Sequence, residues 1–105
     1  MYTKLSFVEF LPGNEQEALD YIREKMFPSA SVQAGFKDAF IFQSAAEPQK
    51  YTLMSLWESL EKMQSSKPPD HLSAEQQHFE TLIATFSQST HELLFQFSER
   101  LEPEE

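Results

Sequence analysis

Apolar and polar positions alternate in four segments of the chain, and strands that pack on a sheet show this pattern. The four segments are 2–11, 36–43, 51–57 and 91–98. Two further segments carry apolar residues at the spacing of one helix face. They are 14–26, with Ala18, Leu19, Ile22 and Met26, and 73–88, with Phe79, Leu82, Ile83 and Phe86. The resulting order β-α-β-β-α-β predicts an α+β fold of the ferredoxin-like type.

Local signals predict where the helices begin and end. Asn14 with Glu17, and Ser73 with Gln76, have the three-residue spacing of a capping box. The Phe27–Ser31 run, which contains a proline, predicts the end of the first helix near Met26. A short helical stretch is predicted at 58–66, ended by the two prolines that follow Lys67.

Both faces of the first strand are apolar. Leu5 and Phe7 lie on one face, and Val8 and Phe10 lie on the other. Two helices cover only one face of a four-stranded sheet, so the second face needs another partner. We therefore expect a homodimer in which two sheets pack against each other.

Composition and charge narrow the class of protein. The chain has 105 residues, of which 17 are acidic and 8 basic, so its formal net charge is −9. This balance argues against nucleic acid and membrane surfaces as partners, because clustered Lys and Arg recognise both. With no cysteine, disulfides and thiolate sites are excluded. We expect one domain over 1–98, an acidic tail over 99–105 and, without a membrane span or a secretion signal, a cytoplasmic location.

One segment resembles a known family. Tyr51–Met63, which reads YTLMSLWESLEKM, resembles the third strand and following turn of the antibiotic-biosynthesis monooxygenase (ABM) domain family. Gly35-Phe36, the pair His78-Phe79 and the complete element order are similar as well. The resemblance implies a dimeric α+β barrel. It also implies one of several activities, which include cofactor-free quinone-forming oxygenases, haem-degrading enzymes and signal-molecule isomerases.

The resemblance, taken with the residues, favours a monooxygenase that oxidises a small flat aromatic of quinol or phenol type without a cofactor. His78 would be its base, and Trp57 and Tyr51 would hold the ring. Further substrate-binding candidates are Ser6, Ser55 and His71. Tyr51, Ser55 and Trp57 alternate on one strand face, so together with Ser6 they would line a sparsely polar, aromatic cavity.

Each of these residues also has a purely structural interpretation. Trp57 can be a packing wedge, and Tyr51 a strand-edge ring with its hydroxyl in water. His78 can be a hydrogen-bonded imidazole at the edge of the core, and His71 a solvated or capping residue. His91 is interpreted as a surface residue. The three histidines do not form a helical zinc pair.

Two alternatives remain open at this stage. In the first, the protein binds or degrades haem, with His78 as the axial ligand. Of the triad that the resemblance implies for this branch, Ser6 stands where an Asn is expected, and residues 63–66 hold no second Trp. In the second alternative, the chain is a non-catalytic dimeric module that binds a small ligand.

Overall fold

The computed structural model describes residues 1–67, 69–98 and 102. Four strands form one antiparallel sheet in the order β2-β3-β1-β4. They are β1 (Tyr2–Phe10), β2 (Phe36–Gln43), β3 (Lys50–Trp57) and β4 (Ile83–Glu92). The predicted α+β class and ferredoxin-like element order are confirmed.

The helices of the described chain are short. They are α1 (Glu15–Tyr21), α2 (Phe27–Ser31), α3 (Leu60–Ser65) and α4 (Ser73–Glu80). A π-helical turn (Ile22–Met26) joins α1 to α2, and a 3₁₀ turn (Asp70–Leu72) precedes α4. None of the described helices has the length and hydropathy of a membrane span.

The predicted end of the first helix near Met26 is wrong, because helical structure continues to Ser31. Pro28 stands in the first turn of α2, directly after the π-helical turn. The π-helical turn changes the hydrogen-bond spacing, and the first turn of a helix tolerates a residue without an N–H.

The two predicted capping boxes are not formed. The side chain of Asn14 makes no capping hydrogen bond to α1, and Ser73 is already inside α4 with Leu72 at its N-cap. Ser59 caps α3, where its hydroxyl oxygen accepts from the backbone N–H of Lys62 at 3.2 Å.

The predictions for the last third of the domain are wrong in register. The helix ends at Glu80 instead of near Gln88, and the fourth strand is Ile83–Glu92 instead of 91–98. The backbone N–H of Leu11 donates to the carbonyl of Leu82 at 2.7 Å, and pairing of β4 with β1 follows directly. Apart from Glu102, the acidic tail expected at 99–105 lies outside the described residues.

The core lies between the helices and one face of the sheet. It contains side chains that are at most 7% exposed, namely Val8, Phe10, Ala18, Ile22, Tyr51, Phe79 and Leu82. Val8 and Tyr51 are register partners on adjacent strands, so the pleat presents both to the helices.

The opposite sheet face carries apolar side chains that no described element covers. Two cross-strand rows run over it, Phe42–Thr52–Phe7–Ser87 and Phe40–Met54–Leu5–Ser89. Phe42 is 51% exposed, Phe7 45% and Phe40 40%. We call this surface the outer sheet face.

Candidate functional site

The sheet face beneath the helices changes from apolar to polar along the strands. Three cross-strand rows show the change: Tyr51–Val8–Phe86, then Leu53–Ser6–Gln88, then Ser55–Lys4–Thr90. Of the first row, Tyr51 and Val8 belong to the closed core around Phe10, whereas Phe86 is 56% exposed. Over the second and third rows the helices leave open space, which we call the helix–sheet cleft.

The helix–sheet cleft has two adjoining lobes. The Trp57 lobe, of about 230 Å³, lies between Trp57, Ser55 and Lys4 on the sheet and Met26 and Phe27 on the helical side. The Phe79 lobe, of about 430 Å³, extends towards Phe79 and Phe86. Both lobes share the same central lining, which is Ser6, Met26, Leu53, Gln76 and Gln88.

Trp57 is held rigidly in its lobe. It is 2% exposed, and its indole Nε1 donates to the hydroxyl oxygen of Ser55 at 2.9 Å. The ring of Phe36 meets it edge to face, with centroids 5.5 Å apart and planes at 87°. Trp57 therefore packs the end of the sheet and also forms a wall of the cleft.

Polar groups cross the middle of the cleft. The side-chain amide of Gln88 donates to the hydroxyl oxygen of Ser6 at 3.0 Å. On the helical side, the hydroxyl of Tyr21 donates to Oε1 of Gln76 at 2.9 Å. Burial, followed by the negative charges of Glu75 and Glu80, raises the pKa of Tyr21 above its usual 10.0. The Tyr21 hydroxyl therefore stays protonated, and can donate to Gln76, up to a higher pH than an ordinary tyrosine.

Of the predicted site residues, the structure brings together Trp57, Ser55 and Ser6. Tyr51 lies away from them in the closed core, where it is 7% exposed and its ring centroid is 5.4 Å from that of Phe10. Its hydroxyl is 3.4 Å from the side-chain amide nitrogen of Gln43. Tyr51 is therefore neither a lining residue of the cleft nor a solvated strand-edge ring.

The histidines lie elsewhere. His78 is on the outer surface of α4, where its side chain is 62% exposed and its Nε2 is 2.7 Å from Oε1 of Glu17. His71 is exposed in the 3₁₀ turn, and His91 is exposed on β4, where its Nε2 is 2.8 Å from the hydroxyl oxygen of Ser89. The structure does not bring His71 or His78 to the cleft that holds Trp57.

The haem-ligand set implied by the resemblance does not fit this cleft. No histidine is among the described residues that line either lobe. Within the part of the chain that the structure describes, no group of three or more His, Cys, Asp or Glu side chains could hold a metal ion.

The lining residues that the sequence did not identify include Lys4, Met26, Lys67, Gln76 and Gln88. Gln88 was assigned to the end of a helix, so its pairing with Ser6 could not be foreseen. Lys4 did carry a signal, because it interrupts the apolar positions of a strand that runs through the interior of the sheet.

The fold and cleft define an α+β domain with a closed core at one end of its sheet and a ligand-sized opening at the other. A family model described as antibiotic biosynthesis monooxygenase matches residues 1–77, and the chain belongs to this family. No curated protein sequence matches the chain significantly.

Solved structures share the fold at low sequence identity. SnoaB from Streptomyces nogalater, described as a cofactor-independent oxygenase and solved as a variant, is 10% identical, with a TM-score of 0.76 over 93% of this chain and 97% of that one. A Nitrosomonas europaea protein, provisionally named an antibiotic biosynthesis monooxygenase, is 16% identical, with a TM-score of 0.76 over 90% and 100%. A conserved Methanosarcina mazei protein is 12% identical, with a TM-score of 0.74 over 86% and 89%.

Proposed function

We propose that the protein is a cofactor-independent monooxygenase that oxidises a small flat aromatic of phenol or quinol type in the helix–sheet cleft. The observation that carries the proposal is the cleft wall, in which the fixed indole of Trp57 stands beside the polar pair Ser6 and Gln88. Family membership supports the reaction class. The description of SnoaB as cofactor-independent supports the absence of a cofactor.

The cleft suits a flat ligand in size and chemistry. Its lobes, of about 230 and 430 Å³, together fall within the roughly 300–1,000 Å³ typical of small-molecule sites. Met26 and Phe27, both partly exposed, offer apolar surface to the faces of a ring, and the buried Trp57 closes the end of the lobe. Ser6 and Gln88 offer a hydroxyl and an amide to a ring oxygen.

The reaction needs no external reductant. A phenol with a free para C–H and one O₂ give a para-quinone and one water. The deprotonated phenol transfers an electron to O₂, and a C–O bond then forms at the para carbon. Loss of the para hydrogen and cleavage of the O–O bond leave one oxygen on the ring and release the other as water. The phenol loses four electrons, and O₂ accepts four.

In this scheme the chain binds the ring and excludes water from it. Ser6 and Gln88 hydrogen-bond the phenolic oxygen, whose negative charge develops before O₂ reacts. The phenolic proton leaves to solvent through the open side of the cleft. His78 does not serve as the base, because its imidazole faces outward beside Glu17.

The experiment is oxygen uptake with 1,5-dihydroxynaphthalene, followed by mass spectrometry of the quinone formed under ¹⁸O₂. We expect one O₂ consumed per quinone and one ¹⁸O atom in the product. Leu53→Trp fills the centre of both lobes and should abolish turnover, with the far-UV circular dichroism unchanged. Ile41 is the register partner of Leu53 on β2 and is not among the residues that line the cleft. Ile41→Trp is therefore the matched control, and this variant should keep its activity.

Two results would contradict the proposal. If the naphthalenediol binds and Leu53→Trp blocks binding, but no oxygen is consumed, the chain is a non-catalytic ligand-binding module. If Leu53→Trp and Ile41→Trp reduce turnover equally, the reaction does not take place in the cleft.

We further propose that the protein works as a homodimer closed by the outer sheet faces of two copies. Phe7, Phe40 and Phe42 are 40–51% exposed and stand in neighbouring cross-strand rows, so they form a contiguous apolar surface. A two-fold axis through Met54 and Leu5, the centre of one row, would bury this surface against its own copy.

A further inference from the structure

Lys4 occupies an unusual position for a lysine. It lies on β1, an interior strand of the sheet, on the face that the helices cover, and it is half-buried. Its register partners are Ser55 and Thr90, which are both uncharged. Among the described residues, no carboxylate lies within 4 Å of its ammonium group. A half-buried lysine without a counter-charge can present its ammonium group to an anion that enters the lobe.

A second lysine reaches the same lobe from the loop after α3. The side-chain amide of Gln33 donates to the carbonyl of Lys67, and the backbone N–H of Lys67 donates to Oε1 of Gln33 at 3.3 Å. These two bonds fix the loop against the end of α2. Lys67, which is an exposed residue, lies in the lining of the Trp57 lobe together with Gln33.

The charge of the Trp57 lobe is opposite to that of the chain. Its described lining holds Lys4 and Lys67 and no Asp or Glu, in a chain with 17 acidic and 8 basic residues. Three cations elsewhere are paired with carboxylates: Arg23 with Asp20 at 2.8 Å, Lys50 with Glu47 at 3.0 Å and Lys62 with Glu58 at 3.3 Å.

The nearest carboxylates do not neutralise the lobe. Glu92, one row beyond Lys4, accepts instead from the hydroxyl of Tyr2 at 3.4 Å. Glu80 lines the far side of the Phe79 lobe. A ligand in the cleft thus meets positive charge at one end and a carboxylate at the other, and this polarity fixes its orientation.

We infer that the Trp57 lobe selects an aromatic anion, a flat ring that carries a carboxylate. Lys4 and Lys67 hold the carboxylate, and the ring points away from Trp57 into the Phe79 lobe. This inference rests on the proposed function, and it names the substrate class and two specificity-determining residues. Charge-assisted hydrogen bonds from two ammonium groups distinguish such a ligand from its neutral isostere.

Calorimetric titration with 2-naphthoate and its neutral isostere 2-naphthamide tests the inference. We expect the wild-type chain to bind the naphthoate at least about tenfold more tightly than the amide. Lys4→Gln and Lys67→Gln should each weaken naphthoate binding about tenfold and change amide binding less than about twofold. Lys4→Arg should retain the preference, and Lys37→Gln, which removes an exposed charge outside the lobe, is the matched control.

The outcomes separate this inference from the proposed function. Trp57 is the only tryptophan, so its single indole ¹H–¹⁵N resonance reports whether a probe enters the cleft. If that resonance shifts with both probes and their affinities are equal, the anion preference is wrong and the cleft remains a binding site. If neither probe shifts it, the inference is wrong, and oxygen uptake with 1,5-dihydroxynaphthalene decides the proposed function separately. Equal losses for Lys37→Gln and Lys4→Gln would mean that only net charge matters, which also overturns the inference.

Discussion

At the scale of single residues, the site depends on one aromatic ring with two tasks. Trp57 is 2% exposed and hydrogen-bonded to Ser55, so its ring has one orientation in the cleft wall. Its contact with Phe36 connects the wall to the first residue of β2. Trp57 thus gives the proposed cleft a preformed, rigid end.

The position of His78 leads to a prediction against its catalytic use. We expect His78→Ala to change kcat/KM for 1,5-dihydroxynaphthalene less than twofold, because the imidazole lies on the outer surface beside Glu17. The stability cost in urea denaturation should be below about 1 kcal/mol, since this pair is largely exposed. A tenfold loss of kcat/KM with unchanged stability would place His78 in the reaction, as the sequence suggested.

Tyr21 gives a prediction about alkaline pH. Its folded-state pKa is raised above 10.0, so above pH 10 the unfolded chain loses the phenolic proton before the folded chain does. The folded state then holds more protons, and the free energy of unfolding falls as the pH rises. The contribution of Tyr21 is therefore complete below pH 10 and is lost as the pH rises through its folded pKa.

Denaturation of Tyr21→Phe beside the wild type measures this effect. At pH 7 the variant should be about 1 kcal/mol less stable, because the hydrogen bond to Gln76 is lost. The difference should shrink as the pH rises above 10. A difference that stays constant or grows over that range would contradict the assigned pKa direction.

At the scale of elements, two glycines with positive φ provide a matched pair. Gly35 (φ +86°) precedes β2, and a Cβ there would stand 2.6 Å from Cβ and Cδ of Lys62 on α3. Gly13 (φ +89°) precedes α1, and a Cβ there would meet no atom within 4 Å. Only Gly35 is therefore required by the close approach of another element as well as by its backbone angle.

We predict that Gly13→Ala lowers the free energy of unfolding by about 1 kcal/mol, which is the strain of a non-glycine residue in the left-handed region. Gly35→Ala should lower the free energy of unfolding by at least about 2 kcal/mol, because the new methyl group must also displace Lys62 on α3. A hydrogen bond from the backbone N–H of Glu58, close to α3, to the Gly35 carbonyl at 2.7 Å opposes this displacement. Urea denaturation of the two variants measures the difference. Equal costs would mean that α3 moves freely away from Gly35.

The fourth strand shows why element boundaries were only partly predictable. Ile83 and Phe86 continue the helical spacing of Phe79 and Leu82, so the sequence favours a helix through them. In the structure β4 lies at the edge of the sheet, and most of its side chains are exposed, so it lacks the alternation that marks a half-buried strand. Pairing with β1, a contact between distant parts of the chain, decides the register.

At the scale of the whole molecule, the exposed phenylalanines of the outer sheet face lead to a prediction about assembly. We predict that size-exclusion chromatography with light scattering gives a molar mass of about twice the 12.2 kDa of one chain. Met54→Lys places a charge at the centre of the face and should produce monomers. Val32→Lys, at a residue 83% exposed outside this face, is the control and should stay dimeric. A monomeric wild type would overturn the dimer proposal.

The sequence by itself determined the class of fold, most strand positions and the family. Period-two and helical spacings are local properties, so β2 was predicted at its observed limits, 36–43. The alternation of β3 likewise predicted that Trp57 and Ser55 share a face. These results follow from the backbone geometry of each element alone.

Only the tertiary structure decided which candidates meet. Lys4, Gln88 and Lys67 come from three distant segments, and their convergence on the Trp57 lobe depends on strand register and on the Gln33 contacts. Tyr51 shares a strand face with Trp57 but lies one cross-strand row outside the cleft, inside the core. His78 has helical spacing close to the apolar stripe, yet the rotation of α4 on the sheet turns it towards Glu17 and solvent. Local periodicity assigns a side chain to a face, whereas long-range packing determines what that face contacts.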